Sequence, residues 1–136
     1  MNMVCASPKG YQPNPHILKQ AQEDALLTGA SITVEEDLST AARGADVLYT
    51  DVWASMGQED ERDIRIKALH AYQINQQLLD VARPECIVLH CLPAHRGEEI
   101  TEEVIEGPHS VVFDQAENRL HVQKAVMALL MSDERL

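Results

Sequence analysis

Short apolar runs alternate along this chain with segments in which apolar residues recur every three or four positions. The first rhythm is that of buried strands, the second that of amphipathic helices. Residues 1–6 read as a strand, closed by the turn Ser7-Pro8-Lys9-Gly10. Asn14-Pro15 is a helix start, an N-cap residue followed by proline at the first helical position. Ile17, Leu18, Ala21 and Ala25 then share one face, and Gly29 is a C′ stop. Residues 31–35 predict a second strand, and Asp37 a cap for a helix over 38–43, closed by Gly44. Residues 46–53 predict a third strand. The charged stretch 57–63 reads as a loop, and 64–71 and 76–82 as helices. Residues 85–92 predict a fourth strand, ended by Pro93, which has no backbone donor. A helical turn over 101–106 breaks at Gly107-Pro108, and 110–114 reads as a further strand. Asn118 is the expected cap of a last helix to about Met131, with Val122, Val126, Leu129 and Leu130 facing inward.

This alternation argues for a mainly parallel sheet with helices on both faces, connected by right-handed crossovers. The predicted fold class is α/β: a three-layer, Rossmann-like parallel sheet. The 136 residues fit a single domain, and an apolar content of 45% suffices for a core. No Gly-x-Gly-x-x-Gly follows a strand, so dinucleotide binding has little support.

Charge narrows the partners. Lys and Arg number 11 against 22 Asp and Glu, a formal charge of −11. No basic patch is available to neutralise phosphates, which argues against nucleic acid. Three cysteines without paired spacing argue against a disulfide framework and suit a reducing cytoplasm. No amino-terminal signal is visible. The longest clean apolar run, residues 125–131, is too short to span a membrane.

Chemistry-bearing residues crowd at two strand ends. One carries Asp51, Ser55 and the Met56-Gly57 turn; the other carries His90, Cys91, Leu92, His95 and Arg96. In open α/β sheets, ligands sit beyond the carboxyl ends of the strands. Each residue also has a plainer reading. Cys91 could be a small buried hydrophobe, Asp51 an ordinary strand-end carboxylate, and Trp53 packing. His90 reads best as a hydrogen-bonded core histidine. The set His90, Cys91 and His95 matches no standard zinc spacing, so no metal is expected.

The motifs Asp51-Val52-Trp53-Ala54-Ser55-Met56-Gly57, His90-Cys91-Leu92-Pro93 and Ala116-Glu117-Asn118-Arg119 resemble three signatures of ornithine carbamoyltransferases, in the family's order. The resemblance covers almost the whole chain. It implies carbamoyl transfer from carbamoyl phosphate to the side-chain amine of L-ornithine, giving citrulline for arginine biosynthesis, with no cofactor. By the same resemblance, Cys91 and the Leu92 carbonyl lie beside the reacting amine. Asp51 and Ser55 hold the amino groups, and the Met56 amide helps hold the α-carboxylate. Arg119, read as standing at a helix start, lies near the carbamoyl oxygen. The run Glu59-Asp60-Glu61 falls in a mobile flap.

The family's usual chain is about twice as long. Its amino-terminal Ser-Thr-Arg-Thr motif, its His-Pro-x-Gln and the Gly-Asp-x-Asn-Asn strand that opens its second domain do not occur here. Residues 1–136 therefore read as one ornithine-binding domain, incomplete at its amino terminus and lacking its first, central strand. Such a piece is expected to be inactive alone, and to belong to a cytoplasmic homotrimer when full length. Two other readings stay open: a sibling carbamoyltransferase with another amine acceptor such as putrescine, and a non-catalytic amino-acid-binding or partner domain.

Overall fold

The computed structural model describes residues 1–54 and 61–132. The element order is β1 (Asn2–Ala6), α1 (Pro15–Thr28), β2 (Ser31–Glu35), α2 (Leu38–Ala42), β3 (Val47–Thr50), α3 (Arg62–Leu69), α4 (Gln76–Leu79), β4 (Ile87–His90), α5 (Glu102–Ile105) and α6 (Val112–Met131). Local chemistry explains the early boundaries. The Asn14 side chain accepts from the His16 N–H at 2.9 Å, with Pro15 opening α1 behind it. Gly29, at φ +69°, adopts the left-handed conformation that stops the helix. The Asp37 carboxylate accepts from the Thr40 N–H at 2.6 Å and caps α2.

Among the described residues, all strand pairing is parallel. β1 pairs with β2, Asn2 opposite Ser31, and β3 pairs with β4, Val47 opposite Ile87. These are two separate two-stranded sheets rather than one continuous one, and β1 and β3 do not pair. The expected three-layer sheet is therefore present as two parallel halves. Met3 and Val4 of β1 and Val47 and Tyr49 of β3 are exposed, as strand residues are when neighbouring elements do not cover them. The core lies against β3 and β4. Leu48, Val88, Leu78, Leu79, Ile74, Ile100, Val104 and Val112 fill it, each 8% exposed or less.

The last third departs from the sequence reading in two places. Residues 110–114 form no strand. The Val88 N–H donates to the His109 carbonyl and Val111 returns a bond to Val88, leaving a single bridge between Val88 and Ser110. α6 begins at once after Val111, so Asn118 is not its cap. Asp114 in its first turn favours that early start through the helix dipole. Second, Val122, Val126, Leu129 and Leu130 do not face inward: they are 61%, 48%, 53% and 81% exposed. Val112 is the one buried residue of the helix among those described. Periodicity reports that a helix has an apolar face, but not what covers it.

Candidate functional site

Strand alternation sorts β3 and β4 into two faces. Leu48, Val88 and His90 turn into the core. Tyr49 alternates to the opposite face, beside Leu89 of the neighbouring strand, and the ladder ends with Thr50 opposite His90, one residue before Asp51 and Cys91. At the strand ends, the Asp51 carboxylate, the Cys91 sulfur and a His90 ring nitrogen gather within 4.8 Å of one another. Asp51 and Cys91 thus share one rim, as the sequence predicted. The Asp51 carboxylate also accepts from the Val52 N–H at 2.7 Å.

The turn after β4 is held from beneath. The His90 Nδ1 accepts the Leu92 N–H at 2.9 Å, so Nε2 carries the ring proton and donates to Glu99 Oε1 at 3.0 Å. The same Glu99 oxygen accepts the His95 N–H at 2.6 Å. His90 and Glu99 are both fully buried. Leu92 stands at φ +54°, before a cis bond to Pro93. A non-glycine residue there costs about 1–2 kcal/mol, which the captured N–H offsets. The chain Glu99–His90–Leu92 therefore fixes the backbone immediately after Cys91.

The electrostatics of Cys91 follow from its neighbours. Burial pushes its thiol above the ordinary range, and the Asp51 carboxylate, accepting the S–H, pushes the same way. The Tyr49 hydroxyl opposes them. The thiol is thus a neutral S–H donor at neutral pH rather than a ready nucleophile. Tyr49 is itself pushed up, by burial first and then by its contact with Cys91, while the Gln115 side chain pulls it down.

Among the described residues, two clusters have donor atoms close enough for a metal: Asp51, His90 and Cys91, and His95, Glu98 and Glu99. Neither presents three free donors. Both His90 nitrogens are engaged, and Glu98 is paired with Arg62.

The remaining predicted residues are distributed unevenly. Leu92 lies at the rim. Ser55, Met56 and the acidic pair Glu59-Asp60 of the expected flap lie outside the described residues. Arg119 is not at the amino terminus of α6 but in its interior, exposed and without a carboxylate partner among the described residues. Arg96 is engaged on the surface with Glu102 and Glu106, each at 2.5 Å. Sequence reasoning gave Glu99, Tyr49 and Gln115 no role. A glutamate just before the apolar Ile100 is a weak pointer to a buried carboxylate.

A parallel α/β unit with a carboxylate and a thiol converging at adjacent strand ends has the form of a small-molecule-binding domain of the doubly wound class. The chain belongs to the aspartate/ornithine carbamoyltransferase family, whose Asp/Orn binding domain matches residues 1–130. It is 55% identical to the ornithine carbamoyltransferase of Thermococcus kodakarensis over 130 residues, 96% of this chain and 41% of that protein. The Methanothermobacter thermautotrophicus enzyme is 57% identical over 133 residues, 98% of this chain and 44% of its own length. Among solved structures, the Pyrococcus furiosus ornithine carbamoyltransferase superposes with a TM-score of 0.91 at 50% identity, covering 98% of this chain and 43% of that one. The chain thus spans a little over two fifths of the length of the relatives it matches.

Proposed function

We propose that this chain is the ornithine-binding portion of an ornithine carbamoyltransferase. The observation that carries the reading is the Asp51–Cys91 pair at one rim, beside a Leu92 backbone locked by His90. Relatives above 50% identity bearing that enzyme's name support it. Asp51, with Ser55, holds the ammonium of ornithine, and the Met56 amide holds its carboxylate; a zwitterionic head needs one anion and one donor. Cys91 and the Leu92 carbonyl lie beside the side-chain amine. That amine, deprotonated, attacks the carbamoyl carbon of carbamoyl phosphate. The tetrahedral oxyanion is held by preorganised donors, Arg119 among them, and collapse expels phosphate and leaves citrulline. A thiol that stays protonated suits this direct transfer, because it is a polar neighbour and not a competing nucleophile.

Alone, the chain does not turn over. Carbamoyl phosphate brings a dianionic phosphate that needs several convergent donors, and of that set only Arg119 and the strand end at Cys91 and Leu92 stand here. Holding both reactants in one geometry is worth roughly 7–11 kcal/mol of the barrier, which half a pocket does not supply. The parallel edges of β1 and β3 and the apolar face of α6 are where the other portion seats. The whole enzyme is a cytoplasmic homotrimer serving arginine biosynthesis. The test is citrulline formation from ornithine and carbamoyl phosphate. The chain alone should give none, and adding the amino-terminal portion of a relative should restore turnover that Asp51→Ala abolishes. Robust turnover by the chain alone, lost in Asp51→Ala, overturns the incomplete-enzyme reading. Calorimetric titration with ornithine, with putrescine as competitor, tests the acceptor: putrescine binding as tightly as ornithine overturns the amino-acid assignment.

A further inference from the structure

We propose that Gln73 and Arg62 are positioning residues for the backbone beside Cys91, acting through the loop of residues 95–99. Every link is a hydrogen bond or an ion pair. The Gln73 side-chain amide has two N–H donors, and it donates to the Gly97 carbonyl at 2.9 Å and to the Glu98 carbonyl at 2.7 Å. The next residue, Ile74, donates its N–H to the Glu99 carbonyl at 2.9 Å and accepts the Thr101 N–H at 3.0 Å. Residues 73 and 74 thus hold the successive carbonyls of Gly97, Glu98 and Glu99. Arg62, which opens α3, pairs its guanidinium with the Glu98 carboxylate. From there Glu99 Oε1 accepts from the His90 ring and the His95 N–H, and His90 Nδ1 accepts from the Leu92 N–H.

The two adjacent glutamates face opposite ways. Glu98 is half-buried and turned out to Arg62, whereas Glu99 is fully buried and turned in to His90. Glu99 Oε2 has no hydrogen-bond partner among the described residues, and the His95 ring stands 4.0 Å from it. This buried carboxylate is therefore anchored through Oε1, and its aim depends on the backbone that carries it. The Glu98 and Glu99 carbonyls flank the Glu99 Cα, and Gln73 and Ile74 fix one each. Rotation of either peptide would swing the Glu99 side chain off His90, and the Arg62–Glu98 pair restrains the first of them from outside. Arg62 and Gln73 lie between β3 and β4 in the chain, so they tie the connection that follows Asp51 to the loop that follows Cys91. The consequence for ornithine rests on the reading proposed above; the hold on Leu92 does not.

The experiment is residue-resolved hydrogen exchange at the Leu92 and His95 amides, without ligand, with the Val88 amide as control. Gln73→Ala should speed exchange at both amides by about three- to tenfold, the range of one neutral hydrogen bond, and leave Val88 unchanged. Arg62→Gln removes a pair whose arginine is 41% exposed. It should speed the same amides by up to about fivefold at low salt. That effect should shrink in molar salt, which screens the pair in the unsubstituted chain, while the Gln73→Ala effect should persist. Exchanging the charges, Arg62→Glu with Glu98→Arg, should return both amides toward the unsubstituted rate, which a role in packing alone would not do. Unchanged exchange at Leu92 and His95 in Gln73→Ala overturns the proposal, as does equal acceleration at Val88, the mark of a global loss of stability. A charge exchange that leaves both amides as fast as in Arg62→Gln overturns the part assigned to Arg62. Ornithine titrated calorimetrically into the same proteins should bind Gln73→Ala more weakly than the unsubstituted chain. Binding to neither counts against the ornithine reading alone; equal binding to both, with exchange accelerated, overturns the link from this loop to that site.

Discussion

Substituting Glu99 should loosen the turn after Cys91 without touching Cys91 itself. One buried carboxylate oxygen accepts two hydrogen bonds, from the His90 ring at 3.0 Å and the His95 N–H at 2.6 Å. Glu99→Gln keeps the shape and an acceptor but removes the charge. A bond to a charged group is worth about 1.5–3 kcal/mol and a neutral one about 0.5–1.5, so the loss is about 1 kcal/mol per bond and roughly 2 in total. Glu99→Ala leaves both donors buried and unsatisfied, about 1–3 kcal/mol each, roughly 2–6 in total before any cavity term. With 1.4 kcal/mol per factor of ten, amide exchange at His95 should accelerate about fivefold in Glu99→Gln and by about five- to a hundredfold in Glu99→Ala, from the loss at that one bond. The Leu92 amide should follow, because a His90 ring freed from Glu99 no longer holds its Nδ1 against the Leu92 N–H. Residue-resolved hydrogen exchange measures this, with the Val88 amide, bonded to the His109 carbonyl, as internal control. Unchanged exchange at Leu92 and His95 in both variants, or Glu99→Gln loosening them more than Glu99→Ala, would falsify the support assigned to Glu99.

Four further outcomes are expected. In a reconstituted enzyme, Cys91→Ala should weaken ornithine use more than carbamoyl phosphate binding. Arg119→Ala should do the reverse and slow the chemical step a hundredfold or more, about 3 kcal/mol for an oxyanion donor; steady-state kinetics in both substrates decides, and equal effects sink both roles. In the isolated chain, Leu129→Ala and Leu130→Ala should change stability by less than about 0.5 kcal/mol, as exposed residues do. An inward-facing α6 would lose about 2–5 kcal/mol in urea titrations of either variant. The unpaired edges of β1 and β3 should make the chain self-associate, so sedimentation should show concentration-dependent species; a monomer with a cooperative, high-midpoint transition contradicts this. The Asp37 carboxyl is held below its ordinary range by the Thr40 side chain first and then by the Thr40 N–H. Its contribution to α2 is complete above the ordinary carboxylate range and is lost as pH falls through the lower folded-state value. The advantage of the unsubstituted chain over Asp37→Ala should therefore vanish at the acid end of a denaturation series, and a pH-independent difference refutes it.

Much of this protein was written in local sequence. Asn14-Pro15, Gly29 and Asp37 set helix ends because capping is decided by a few adjacent residues. The strands around Val4, Thr33, Leu48 and Val88 were legible as short apolar runs, and their alternation with helices implied parallel pairing. The meeting of Asp51 and Cys91 was legible too, since parallel neighbours end on the same rim. What lay beyond sequence were the facts that depend on partners. The apolar stripe of α6 reads the same whether a core covers it or solvent does; only the tertiary structure shows Val126 and Leu130 uncovered. Residues 110–114 carry a strand's composition, but a strand exists only with a ladder, and a single bridge to Val88 is all the fold supplies. Arg119 moved from a helix start to a helix interior because α6 begins as soon as that bridge ends. Glu99 gained its role in the same way: a buried carboxylate is recognisable only once the imidazole it must hold is folded over it.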